Sequence, residues 1–137
     1  MVIRLALLAL CAAYIQGPFM KMSDFAGAKA EMAHFGLYPT ALMAVVVIVF
    51  ELAASVMVVS GWGRRPASLA LAGFTLMATM LALRFWDLPA GSPDRMMAMN
   101  AFFEHVGLAG AFVLVAVTPL GVAQKPAIFD WPRARLS

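Results

Sequence analysis

Apolar residues run along this chain in long unbroken blocks. They show neither the alternation of a half-buried strand nor the narrow stripe of a soluble amphipathic helix. The blocks cover roughly residues 2–20, 39–60, 66–86 and 96–121. Each is near the ~20 residues an α-helix needs to cross the hydrocarbon core of a bilayer. Barrel strands would be about half as long and would alternate polar with apolar positions. The pattern therefore predicts an all-α integral membrane four-helix bundle, and the length suits a single domain over residues 1–137.

The connections predict where the helices end. Gly17-Pro18 falls near the end of the first span, where Pro18 offers no N–H to the Tyr14 carbonyl and should open or bend the last turn. In KMSDFAGAKAEMAHFGLYP, Phe25, Ala28, Met32 and Phe35 recur at near-helical spacing. They predict a short interfacial helix between the first two spans, lying on the membrane surface and ended by Gly36. Pro39 and Pro66 suit the first turns of the second and third spans. GWGRRP joins those spans as a tight turn. Ser92-Pro93-Asp94 reads as N-cap, first-turn proline and first-turn acid for the fourth span, which should run to about Thr118. The tail QKPAIFDWPRARLS, with Phe129 and Trp131, fits an anchor at the headgroup level. Arg4 followed by LALLALCAA resembles a short signal core. The apolar run continues to Met20, however, and Leu10 precedes Cys11 where a lipoprotein box needs a small residue, so this segment is expected to be kept as a span.

Composition agrees with this picture. The chain is 64% hydrophobic and 12% charged, against about 25% charged in soluble domains. That is too little polar material for a water-facing surface, so the lipid bilayer is the expected partner. Arg4, Arg64, Arg65, Lys125, Arg133 and Arg135 fall on one side of the predicted bundle. Lys21, Lys29, Arg84 and Arg95 fall on the other, beside Asp24, Glu31, Asp87 and Asp94. The positive-inside rule then predicts a multi-pass protein with both termini cytoplasmic. The net charge of +3 speaks of headgroups and topology, not of nucleic acid. Cys11 is the only cysteine, which excludes an internal disulfide, a CxxC shuttle and covalent c-type haem. Metal ligands do not cluster, and no phosphate loop, nucleotide motif or Ser/His/Asp constellation is present.

The informative residues are the polar ones inside the blocks. Glu51 interrupts VVVIVFELAASVMVV about twelve residues from the outer end of its helix, roughly 18 Å deep. An ionised side chain there costs about 2.5–3.5 kcal/mol on insertion scales. Protonating a glutamate at neutral pH costs roughly 3.7 kcal/mol. The penalties are similar, so two readings stay open. Glu51 is either half of a structural ion pair, with Arg4 as the best partner, or a proton-active or ligand-contacting acid. A second group gathers toward the outer face: Tyr14, Gln16 and Lys21, Arg84 with Trp86, and Asn100, Glu104 and His105. Asn100 and Glu104 share a helix face that continues through Gly107 and Ala111, and this small-residue face is expected to point into the bundle. Phenol, amide, guanidinium and imidazole groups converging in an apolar site could hold a quinone head. The competing reading makes them interfacial side chains and helix-end pairs such as Arg84–Glu104. No catalytic residue is assigned.

RLALLALCAAYIQGPFMKMSDF, then Pro39, then FELAASVMVVSGWGRRPASLAL and NAFFEHVGLAGAFVLV resemble the DoxX family over nearly the whole chain. These are small four-helix bacterial membrane proteins. The family pattern falls here on Arg4, Gly17, Lys21, Glu51, Gly61 and Arg64. Arg84 stands where the family often has histidine, and Gly110-Ala111 where it often has Gly-Gly. The resemblance implies a bacterial inner-membrane location and a link to DoxD, the membrane subunit of thiosulfate:quinone oxidoreductase. It also implies membrane redox complexes in which such proteins act as scaffolds. The leading expectation is a small subunit or anchor of a quinone-linked redox system, with a quinone, a redox partner protein and self-association in view. The alternatives are a non-catalytic scaffold and a proton-coupled carrier using Glu51.

Overall fold

A computed structural model of the chain describes residues 1–119; the predicted tail anchor around Phe129 and Trp131 lies outside the described residues. The first helix, α1 (Val2–Ser23), continues through Pro18 and ends beyond the predicted block. Pro18 is buried, and the helix continues because neighbouring N–H groups keep their partners on either side of the one missing donor. Asp24 does two jobs. Its N–H bonds to the Met20 carbonyl, closing α1, and its carboxylate accepts from the Gly27 N–H at 2.9 Å, opening α2 (Phe25–His34). The predicted short helix is therefore present. Ala28 and Met32 are its buried positions, packed on Ala44.

The next two helices, α3 (Thr40–Ser60) and α4 (Arg64–Ala82), form a tight hairpin. Gly61 and Gly63 both take left-handed backbone, φ 92° and 68°, which a residue with a Cβ would resist. Arg64 is buried and turns back, its Nε donating to the Val58 carbonyl at 2.9 Å. That carbonyl is in the last turn of α3, where backbone acceptors lack helical partners. The α-helical part of the third span ends at Ala82. After Ala82 the chain enters a short 3-10 turn, Phe85–Asp87, which sets Phe85 and Trp86 edge-on against Phe102. The last helix, α5 (Pro93–Val117), starts as predicted: the Ser92 hydroxyl accepts from the Arg95 N–H at 3.2 Å.

Packing follows chain order, α1 on α3, α3 on α4 and α4 on α5, with α2 on α3. Tyr14 of α1 bridges to α5 through an edge contact with Phe112, ring centroids 5.3 Å apart. Alanines 54, 67, 72 and 109 are buried among larger residues such as Leu71 and Phe112. Small side chains let helices approach closely where lipid removes any hydrophobic drive to associate. Among the described residues four helical segments are long and apolar enough to cross a membrane: Val2–Ser23, Thr40–Ser60, Arg64–Asp87 and Pro93–Val117. We call the end bearing the Gly61–Gly63 hairpin the turn end, and the other the loop end.

Candidate functional site

A buried run of polar groups crosses the loop-end half of the bundle. Thr75 and Thr79 are one helical turn apart on α4, and both are buried. Each hydroxyl bonds to the carbonyl four residues back, Thr75 to Leu71 and Thr79 to Thr75, both at 2.6 Å. A hydroxyl has one hydrogen to give. With those hydrogens committed to carbonyls, the threonine oxygens are left as acceptors. The Tyr14 hydroxyl, hydrogen-bonded to Thr75, is then the donor of that pair. By the same count, Nδ1 of His105 donates to Thr79 Oγ1, 3.0 Å away. In the neutral ring this places the proton on Nδ1 and leaves the other ring nitrogen, Nε2, with a lone pair. No hydrogen bond to Nε2 is made among the described residues. Phe102, one turn before His105 on α5, meets Phe85 and Trp86 edge to face, with ring centroids 5.4 and 5.9 Å apart.

Glu51 is also interior, only 8% exposed, and its Oε2 has no hydrogen-bond partner among the described residues. It faces Gly17: a Cβ built there would lie 3.9 Å from Oε2. That neighbour explains why the predicted Arg4–Glu51 pair does not form. Arg4 is thirteen residues from Gly17 along α1 (17 − 4 = 13), a rise of roughly 20 Å, well beyond the reach of an arginine. Arg4 is exposed instead. It lines an apolar groove of about 470 Å³ between α1 and α3, with Leu8, Leu52 and Val56 among its neighbours.

The predicted outer cluster comes together only in part. Tyr14 and His105 join the interior run through Thr75 and Thr79. Lys21 pairs with Glu31 of α2 at 3.3 Å, and Arg84 with Asp87 at 2.8 Å, so neither meets the others and no Arg84–Glu104 pair forms. Gln16 is exposed. Asn100 and Glu104 are exposed too, and the face expected to point inward points outward. The inward face of α5 carries Ala109, Phe112 and Ala116, with His105 at its loop end. The bulky Phe112 fills the bundle centre, and the helix turns its other side away. Sequence reasoning missed Thr75 and Thr79, although their spacing of four within an apolar helix places both on one face. It also missed Arg64, whose role depends on a backbone carbonyl.

Four apolar spans packed on one another, with a few polar groups buried among them, define a multi-pass integral membrane protein. Residues 1–84 match the DoxX family model, and the chain belongs to that family. It is 31% identical over 119 residues to inner membrane protein YphA of Escherichia coli (strain K12), covering 85% of this chain and 82% of that protein. These findings make it an inner membrane protein of DoxX type. No solved structure matches the chain. The family match spans Tyr14, Glu51, Thr75 and Thr79 but stops before His105 and the rest of α5.

Proposed function

We propose that this chain is the small membrane subunit of a quinone-linked redox system, oriented with both termini in the cytoplasm. The observation that carries the reading is His105, held by Thr79 with no hydrogen bond to Nε2 among the described residues, one turn along α5 from the Phe102 ring that Phe85 and Trp86 meet. The residues fit the reduced, quinol form of a quinone head: its hydroxyl donates to the Nε2 lone pair, Phe85, Trp86 and Phe102 offer rings to pack on, and once Nε2 holds the proton its N–H can donate to the quinone carbonyl. A bound quinol supplies two electrons and two protons on oxidation. In this reading Nε2 accepts one proton, the other leaves to water at the loop end, and the electrons pass to a redox partner protein. Thr79 holds the imidazole in the tautomer that can accept. The link of the DoxX family to quinone oxidoreduction supports the assignment by analogy, which is a weaker ground than the site itself.

The test uses the full chain purified in mild detergent. Quinone should co-extract with it and should raise its melting temperature. His105→Ala should abolish that shift with the fold retained. Thr79→Val, which removes the acceptor that fixes the tautomer, should weaken it. No co-extracted quinone and no shift on adding quinone would overturn the reading.

A scaffold role is the second reading. It is favoured by the local pairing of Lys21 with Glu31 and Arg84 with Asp87, which leaves those groups no ligand to hold. In that case partner capture survives Tyr14→Ala and His105→Ala together.

A further inference from the structure

The two ends of the bundle hold their cations differently. At the loop end Lys21 pairs with Glu31, Arg84 pairs with Asp87, Lys29 stands over the Phe25 ring, and Arg95 is bound to the Leu88 carbonyl. At the turn end Arg64 is taken up by the Val58 carbonyl. Arg4 and Arg65 remain there, both exposed, and neither makes an ion pair among the described residues. No carboxylate lies at that end among the described residues. The acid nearest to it, Glu51, is nine residues before Ser60 (60 − 51 = 9), roughly 14 Å into the bundle. The described turn end is therefore cationic, with nothing anionic to balance it.

Arg4 differs from Arg65 in what lies beside it. The groove between α1 and α3 begins at Arg4 and Ser60 and runs past Leu8, Val56 and Leu52 to Ile15. Arg4 to Ile15 is eleven residues (15 − 4 = 11), a rise of roughly 16 Å. Half of a ~30 Å hydrocarbon core is about 15 Å, the depth of one leaflet. Trp62, 78% exposed in the hairpin, marks the headgroup level, where tryptophans collect, and its N–H bonds to the Ser60 hydroxyl. The cation thus stands at the polar surface, and the apolar walls descend from it to the midplane. The volume, about 470 Å³, is within the ~300–1,000 Å³ of small-molecule sites.

We propose that this groove binds an acidic phospholipid of the turn-end leaflet, with its phosphate on Arg4 and one acyl chain along Leu8, Val56 and Leu52. A guanidinium can meet two phosphate oxygens at once. The Ser60 hydroxyl, whose bond to the Met57 carbonyl is long at 3.5 Å, is a second donor at the same rim. A free phosphate would meet Arg4 and leave the groove unfilled. A neutral amphiphile would fill the groove and leave Arg4 without a counter-charge. A zwitterionic lipid brings its own ammonium to the phosphate, so Arg4 selects the acidic headgroup.

The experiment is native mass spectrometry of the full chain in mild detergent, with equimolar phosphatidylglycerol and phosphatidylethanolamine of the same acyl chains. One phosphatidylglycerol should stay bound, favoured at least about fivefold, the ratio that ~1 kcal/mol per basic residue implies. Arg4→Gln should remove the preference, and Arg65→Gln, outside the groove, should keep it. Leu8→Trp and Val56→Trp fill the groove from either wall and leave the charge in place. Each should lower retention of both lipids with the thermal melt unchanged. Glycerol phosphate, a headgroup without chains, should not compete. Equal retention of the two lipids by the parent chain would overturn the proposal. So would a preference that survives Arg4→Gln or is lost equally in Arg65→Gln, retention that both folded tryptophan variants keep, or displacement by glycerol phosphate.

Discussion

Two glutamates lie within the apolar spans, Glu51 on α3 and Glu104 on α5. Glu51 is enclosed by its own bundle, beside Gly17 and within the packing of α1 on α3. Glu104 stands on the opposite kind of surface, exposed, next to Asn100 and a strip of small residues. In sequence the two look alike, one acid in a run of apolar residues. In the fold, one is enclosed by its own bundle, and the other faces away from it. An acid in an apolar block does not by itself tell which way its helix face is turned.

The contrast can be broken most sharply at the two faces of α5. Phe112 is fully buried, and Phe112→Ala should destabilise the fold by about 3–5 kcal/mol. Leu114, 64% exposed in the isolated chain, should change monomer stability by no more than about 0.5 kcal/mol when replaced by alanine. Unfolding titrations in mixed micelles, below the concentration for association, read both; equal losses would mean that the faces are assigned wrongly. Glu51→Gln is the next test. It keeps the shape and removes a charge that no cation pairs, so stability should hold or rise by roughly 1 kcal/mol. Breaking a true buried ion pair would instead cost about 3–5 kcal/mol, and a loss of that size would point to Lys21, one turn from Gly17 on α1, as a partner. The smallest effect belongs to Tyr14→Phe, which deletes the donor to Thr75 but leaves the ring on Phe112. Interhelical hydrogen bonds in membranes average about 0.6 kcal/mol, and a loss near that value is expected in the same titration.

Much of the architecture was legible because the bilayer restricts it. Long apolar blocks must be helices, and Asp24, Gly61, Gly63 and Ser92 mark the helix boundaries by chemistry that acts locally. The rotation of α5 was not legible. It carries two stripes at helical spacing, one through Asn100, Glu104, Gly107 and Ala111, the other through His105, Ala109, Phe112 and Ala116. In water, the polar stripe would face out; in lipid, polar and small residues are the usual interior, which favours the wrong stripe here. The packing of α5 on α4, the Thr79–His105 bond and the fit of Phe112 against Tyr14 decide between them, and these contacts join residues far apart in the chain. The Arg4–Glu51 expectation failed for a related reason. Both residues are in adjacent helices, but Glu51 sits level with Gly17, and depth along a helix follows from register, which composition does not carry.

The Arg64 bond to the Val58 carbonyl has a further consequence. Its acceptor is main chain, so it survives whatever side chain occupies position 58, and drift in the sequence of α3 leaves it intact. Held by that clasp across a connection of three residues, α3 and α4 cannot rotate or slide independently at their shared end. The pair should enter the bilayer together as one preassembled unit, with α1 and α5 added to it.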